Sequence, residues 1–145
     1  MPLYFAYGSN LDIAAMARRC PASRPLGLAR LARHRFAILQ AGYATVVRDP
    51  SATVHGLLYD LALADVPALD RYEHIARGLY RKVLQPVLRK QAAPVLALVY
   101  IGAGPDRGQP RPGYMEGVIA AARAAGLPTP YLAFLATFTA GNRTR

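Results

Sequence analysis

The chain is poor in acids: eight against eighteen lysines and arginines in 145 residues, for a net charge of +10. It also has a single cysteine and no long apolar run. One thiol, Cys20, excludes an internal disulfide, and His34, His55 and His74 are too isolated for a zinc ligand set. The apolar stretches Pro94 to Gly104 and Tyr131 to Ala140 are about half the ~20 residues a bilayer crossing requires. A membrane span is excluded. The opening residues from Met1 to Tyr7 lack a basic segment and meet a Gly-Ser-Asn turn at once, a poor secretory signal, so the expected location is cytoplasmic.

Apolar residues make up 53% of the chain, mean hydropathy is +0.14, and nine tyrosines accompany four phenylalanines. That composition can bury a core and excludes general disorder. The length predicts one domain over residues 1–140, with 141–145 as a loose tail. Sixteen of the basic residues are arginines, spread from Arg18 to Arg145, and Arg30, Arg33 and Arg35 form the only tight group. A nucleic-acid binder concentrates such charge on one face, so the scatter predicts general attraction of anions and no specific nucleic-acid partner.

Residues 2–7 predict a strand that stops at Gly8-Ser9-Asn10, and Leu11, Ala14, Ala15 and Arg18 carry a helical pattern. Residues 26–41 have an ambiguous period and are assigned to a strand from about 28. Ala44 to Arg48 and Thr53 to Leu61 are strand-like, and Asp49-Pro50-Ser51 between them suggests a hairpin turn. Asp65 is a candidate cap for a short helix with Pro67 in its first turn, running to about His74. Two more strands are expected, Leu79 to Leu88 and Pro94 to Ile101. Gly102 to Gly113, with four glycines and three prolines, predicts a mobile loop. Pro112 opens a helix closed by Gly126-Leu127-Pro128, and Thr129-Pro130 starts a last one through Phe138 that stops near Gly141. No internal repeat is present. The order lacks strict strand–helix alternation and predicts an α+β domain on a mostly antiparallel, curled sheet.

Two features carry chemistry. A strand passing through Gly8 into a helix start leaves backbone N–H groups free to hold a carboxylate or an oxyanion; equally, Ser9 or Asn10 serves as a plain helix cap, with Asp12 complementing the dipole. Glu73, one of two glutamates with Glu116, follows Val66 and Leu69 at i+7 and i+4, which turns its carboxylate inward. Partial burial would raise its pKa and make it a proton carrier near neutrality. A surface ion pair with Arg77 is the plainer alternative. Tyr80 and Tyr114 stand where their phenols could reach the same cavity or simply pack. Neither Ser9 nor Cys20 has the surroundings of a nucleophile.

Tyr4-Phe5-Ala6-Tyr7-Gly8-Ser9-Asn10-Leu11, then Leu69-Asp70-Arg71-Tyr72-Glu73 with Gly78-Leu79-Tyr80, then Tyr114 and Gly126-Leu127-Pro128, resemble the gamma-glutamylcyclotransferase family over nearly the whole chain. The resemblance implies a small mixed β-barrel flanked by helices, with no metal or organic cofactor. It implies a small gamma-glutamyl substrate, bound by Tyr4, Phe5, Ala6, Tyr7, Gly8, Ser9 and Asn10 largely through backbone, with Glu73 as catalytic acid/base and Tyr80 and Tyr114 lining the pocket. Family members release 5-oxoproline. His74 and Ile75, in place of a small residue, and the loop 102–113 are this chain's own. A non-catalytic binder of an amino-acid-like ligand is the rival reading, and monomer and homodimer are both compatible with the sequence.

Overall fold

The computed structural model describes residues 2–141; of the tail expected over 141–145, Gly141 instead ends the last helix and 142–145 lie outside the described residues. Five strands and four α-helices form a mixed α+β fold. The strands are β1 (Leu3–Ala6), β2 (Arg24–Ile38), β3 (Ala44–Asp60), β4 (Tyr80–Arg89) and β5 (Ala92–Gly102). The helices are α1 (Ile13–Arg19), α2 (Val66–Tyr72), α3 (Tyr114–Ala125) and α4 (Thr129–Gly141). Strand pairing runs β1-β3-β2-β4-β5 and returns to β1, so the sheet closes on itself. All neighbours are antiparallel except β1 and β5, which meet in parallel at Tyr4↔Leu98. That seam and the Arg30↔Leu88 pair between β2 and β4 are the narrow joins of the ring. Tyr4 of β1 stacks on Tyr59 of β3 and meets Tyr100 of β5 edge-on.

The hairpin expected at Asp49-Pro50-Ser51 is not there. Strand β3 runs unbroken through those residues, and its hairpin partner is β2, joined by the turn at 39–43. The turn-like composition marks a bulge instead: pairing passes from Ala32↔Thr53 to His34↔Arg48, so residues 49–52 oppose Arg33 alone. Pro50 is tolerated because a bulge asks no ladder hydrogen bond of it. Strand β2 likewise begins at Arg24, earlier than the period indicated, because a second irregularity between Pro25 and Gly27 throws the alternation out of phase.

Asp65 stands at the first turn of α2 but does not cap it. Its Oδ2 accepts from the Ala22 N–H at 2.9 Å and the Ser23 hydroxyl at 2.8 Å, fastening the start of β2 to α2. Ser23 in turn accepts from the Ala62 N–H. The loop after β5 is irregular, as expected, yet tied down: Gln40 N–H donates to Pro105 O, Gly108 N–H to Ile38 O and Arg111 N–H to Gly42 O. Its fit is close, since a Cβ on Gly108 would overlap the Leu39 carbonyl. The loop therefore packs on the β2–β3 turn. No described helix is long and apolar enough to cross a membrane.

Candidate functional site

Strand β1 ends at Ala6 and the chain turns through Gly8 into a single 3-10 turn, Ser9–Leu11. Helix α1 starts only afterwards, and its cap is Asp12, whose Oδ1 accepts from the Ala15 N–H at 3.1 Å. Neither Ser9 nor Asn10 caps a helix. Leu11 N–H donates to Gly8 O and Asp12 N–H to Ser9 O, while the N–H groups of Gly8, Ser9 and Asn10 find no acceptor among the described residues. Three adjacent free donors at a bend suit an oxyanion or carboxylate.

Helix α2 ends at Tyr72, two residues sooner than the sequence pattern suggests, and Glu73 is its C-cap residue. The Glu73 N–H still donates to Leu69 O at 3.0 Å, which preserves the inward direction inferred from the helical stripe. His74 then adopts a left-handed conformation, φ 56°, and swings Arg77 off the helical course, so the Glu73–Arg77 ion pair does not form. The half-buried carboxyl is pushed up from 4.5 to about 7 by desolvation, opposed by the positive charge of Arg19.

Two connected hollows contain this carboxyl. The outer, about 260 Å³, is lined by Ser9, Tyr43, Tyr72, Glu73, His74, Leu79, Tyr80 and Tyr114. The inner recess, about 30 Å³, is lined by Tyr4, Tyr7, Gly8, Ser9, Asn10, Ala44, Glu73, Tyr80, Tyr100 and Tyr114. Glu73 and the free donors at Gly8 to Asn10 therefore share one recess. Phe5 and Ala6 line neither hollow: both side chains are fully buried, and Gly56 packs against the Phe5 ring and the Ala6 carbonyl oxygen. Asn10 lines the recess, but its side chain is engaged. Its Nδ2 donates to the Tyr4 hydroxyl at 2.9 Å, and its Oδ1 accepts from Arg19.

The phenols are fixed in place. Tyr80 donates to Ala44 O, and the Tyr114 hydroxyl accepts from the Ala44 N–H at 3.1 Å, so both peptide groups flanking that residue are held by the pocket wall. Tyr7 donates to Tyr100 O. Burial, with Glu73 among the weaker causes, raises the Tyr4, Tyr7, Tyr80 and Tyr114 phenols above their ordinary range, leaving them neutral hydrogen-bonding groups. Ser9 and Tyr72 join through their hydroxyls at 2.6 Å, and the Arg19 guanidinium lies 3.6 Å above the Tyr72 ring.

Tyr43, Tyr72, His74 and Leu79 were not singled out as site residues from sequence. Tyr43 follows the β2–β3 turn and meets the Tyr114 ring edge-on at 5.6 Å, a long-range pairing with no local signature. Among the described residues no group of three or more histidine, cysteine or acidic side chains could hold a metal.

Comparison with known proteins places these residues in context. The AIG2-like family model matches residues 53–135. Gamma-glutamylcyclotransferase of Homo sapiens is 25% identical over 139 residues, covering 89% of this chain and 74% of that protein; that of Mus musculus is 27% identical over the same shares. A solved structure named gamma-glutamyl cyclotransferase superposes with a TM-score of 0.86 over 92% of this chain and 85% of its own, at 24% identity, and shares the fold. The chain belongs to the AIG2-like family.

Proposed function

We propose that this protein is a gamma-glutamyl cyclotransferase, releasing 5-oxoproline and a free amine from a gamma-glutamyl amide, with Glu73 as the proton carrier. The observation that carries the reading is the shared recess, where an acid with a pKa near 7 stands beside three unpaired backbone donors. The names of the human and mouse relatives agree with it.

Ring closure needs no nucleophile from the protein. The substrate's own α-amine attacks its γ-carbonyl carbon, and holding the two within one recess supplies most of what an intramolecular reaction requires. The α-ammonium first gives a proton to the Glu73 carboxylate. The amine nitrogen then forms the new C–N bond while the carbonyl π pair moves to oxygen, and the N–H groups at Gly8 to Asn10 are placed to stabilise that oxyanion or the substrate α-carboxylate. As the carbonyl re-forms, the original C–N bond breaks and the departing nitrogen takes the proton held by Glu73; the ring nitrogen, which still carries two protons after the attack, then gives one back to the carboxylate, which passes it to the amine, so that the leaving group departs as an ammonium. Atoms and charge balance without a metal or organic cofactor. The neutral phenols of Tyr80 and Tyr114 shape the wall. Tyr4 and Asn10 support the turn through their mutual hydrogen bond.

A pKa near 7 suits this double duty, because the carboxyl must accept and return a proton at similar cost. kcat/KM is expected to rise with pH through about 7 as Glu73 ionises. The test is release of 5-oxoproline from a panel of gamma-glutamyl dipeptides and amines, with wild type and Glu73→Gln. A loss of about 10²-fold or more is expected in the variant. Wild-type turnover by Glu73→Gln overturns the mechanism, and binding without turnover by the wild type would leave a non-catalytic ligand carrier.

A further inference from the structure

The hollow around Glu73 continues outward. A second trough of about 400 Å³ shares Tyr43, His74 and Leu79 with it and extends to Arg77 and Arg111. With the gamma-glutamyl group occupying the 260 Å³ hollow and reaching into the inner recess, a leaving amine on the outer side points along this trough.

Arg111 is unusually well held for an exposed arginine. Its Nε donates to Ala41 O at 3.2 Å, its guanidinium carbon lies 4.8 Å from the Tyr43 ring centroid, and its Cγ crosses Gly42, where a Cβ would come within 2.7 Å. The backbone N–H of Arg111 is also fixed, on Gly42 O. Those restraints engage one edge of the guanidinium and leave the terminal nitrogens free. Among the described residues no carboxylate lies within 4.0 Å of Arg111 or Arg77. An arginine already ordered by stacking and one hydrogen bond loses little further freedom on meeting an anion, and its planar fork matches a carboxylate.

We infer that Arg111, assisted by Arg77, is a specificity-determining residue that recognises a carboxylate on the leaving amine. These arginines then set how strongly a free carboxylate on the leaving amine is favoured over the corresponding amide. The inference rests on the cyclotransferase reading. It also gives a role to the irregular loop 102–113: its backbone bonds to the β2–β3 turn set Arg111 beside Tyr43.

The experiment compares gamma-glutamylalanine with gamma-glutamylalaninamide, which differ only at the group the arginines would meet. For wild type the ratio of kcat/KM values is expected to favour the free carboxylate by about tenfold, carried by KM. It should decline as salt is raised. Arg111→Gln, and more so the Arg111→Gln/Arg77→Gln double variant, should bring the ratio near one, while Arg111→Lys keeps an intermediate value. A wild-type ratio near one, or a ratio untouched by these substitutions, overturns the inference while leaving the cyclotransferase reading standing. Release of 5-oxoproline from neither compound overturns that reading instead. Calorimetric binding of the two compounds to Glu73→Gln and Glu73→Gln/Arg111→Gln then decides the arginine separately, and equal affinities or no binding count against it.

Discussion

Glu73→Gln should stabilise the fold above neutral pH while removing turnover. The carboxyl has a pKa of about 7 in the folded protein against an ordinary 4.5, so the folded state binds the proton more tightly than the unfolded chain. Between those two values the unfolded state is the more ionised, and stability falls as pH rises. At about 1.4 kcal/mol for each tenfold change in proton affinity, full ionisation at pH 8 costs about 3 kcal/mol. The side chain opens partly onto a hollow that admits water, which brings the expected cost to about 1–3 kcal/mol. Glutamine keeps the shape and removes the ionisation, so for a chain of this length the gain is about 3–10 °C in Tm at pH 8. Below pH 4.5 the carboxyl is protonated in both states and the advantage should vanish. Thermal or urea unfolding of both proteins at pH 4.5, 6 and 8 reads the effect. An equal Tm difference at all three values, or a variant less stable at pH 8, would refute the claim that desolvation governs this acid.

Two further substitutions probe the frame that positions the site. Gly56→Ala would drive a methyl group into the Ala6 carbonyl oxygen and to within 2.9 Å of the Phe5 ring, where β1 and β3 meet; a loss of at least about 4 kcal/mol in urea unfolding, or failure to accumulate folded protein, is expected, and a change below about 1 kcal/mol would mean β1 can retreat. Asp65→Ala should cost about 2 kcal/mol by stranding the Ala22 N–H and the Ser23 hydroxyl, and a variant as stable as wild type in the same assay would show that water replaces the carboxylate without loss.

The features legible in the sequence were those fixed by neighbours in the chain. The aromatic run halted by Gly8 gave strand and bend, and Val66, Leu69 and Glu73 kept the inward direction of the acid even though α2 ends one residue before it. Features set by distant partners were not legible. Asp49-Pro50-Ser51 has turn composition, but the long partner strand β2 makes extended pairing on either side more favourable and turns it into a bulge. Asp65 has cap composition, yet its Oδ2 is taken by the Ala22 N–H and the Ser23 hydroxyl. Tyr43, Tyr72 and His74 enter the site only once the closed sheet brings the β2–β3 turn opposite the end of α2.

The surroundings of Glu73 set its protonation from opposing directions. Three influences act on it. Burial against the tyrosines favours the neutral form, and its place at the C-terminal end of α2 acts in the same direction, because the helix dipole is negative there. Arg19 opposes both. That arginine is itself oriented by Asn10 Oδ1 and the face of the Tyr72 ring, and Tyr72 is tied through its hydroxyl to Ser9. The residues that build the bend at Gly8 therefore also hold the cation that limits the rise in the Glu73 pKa. Removing that counter-charge would raise the Glu73 pKa further, and a direct ion pair with it would lower the pKa. The arrangement keeps both protonation states accessible because the guanidinium stands near the carboxyl without forming an ion pair within 4.0 Å.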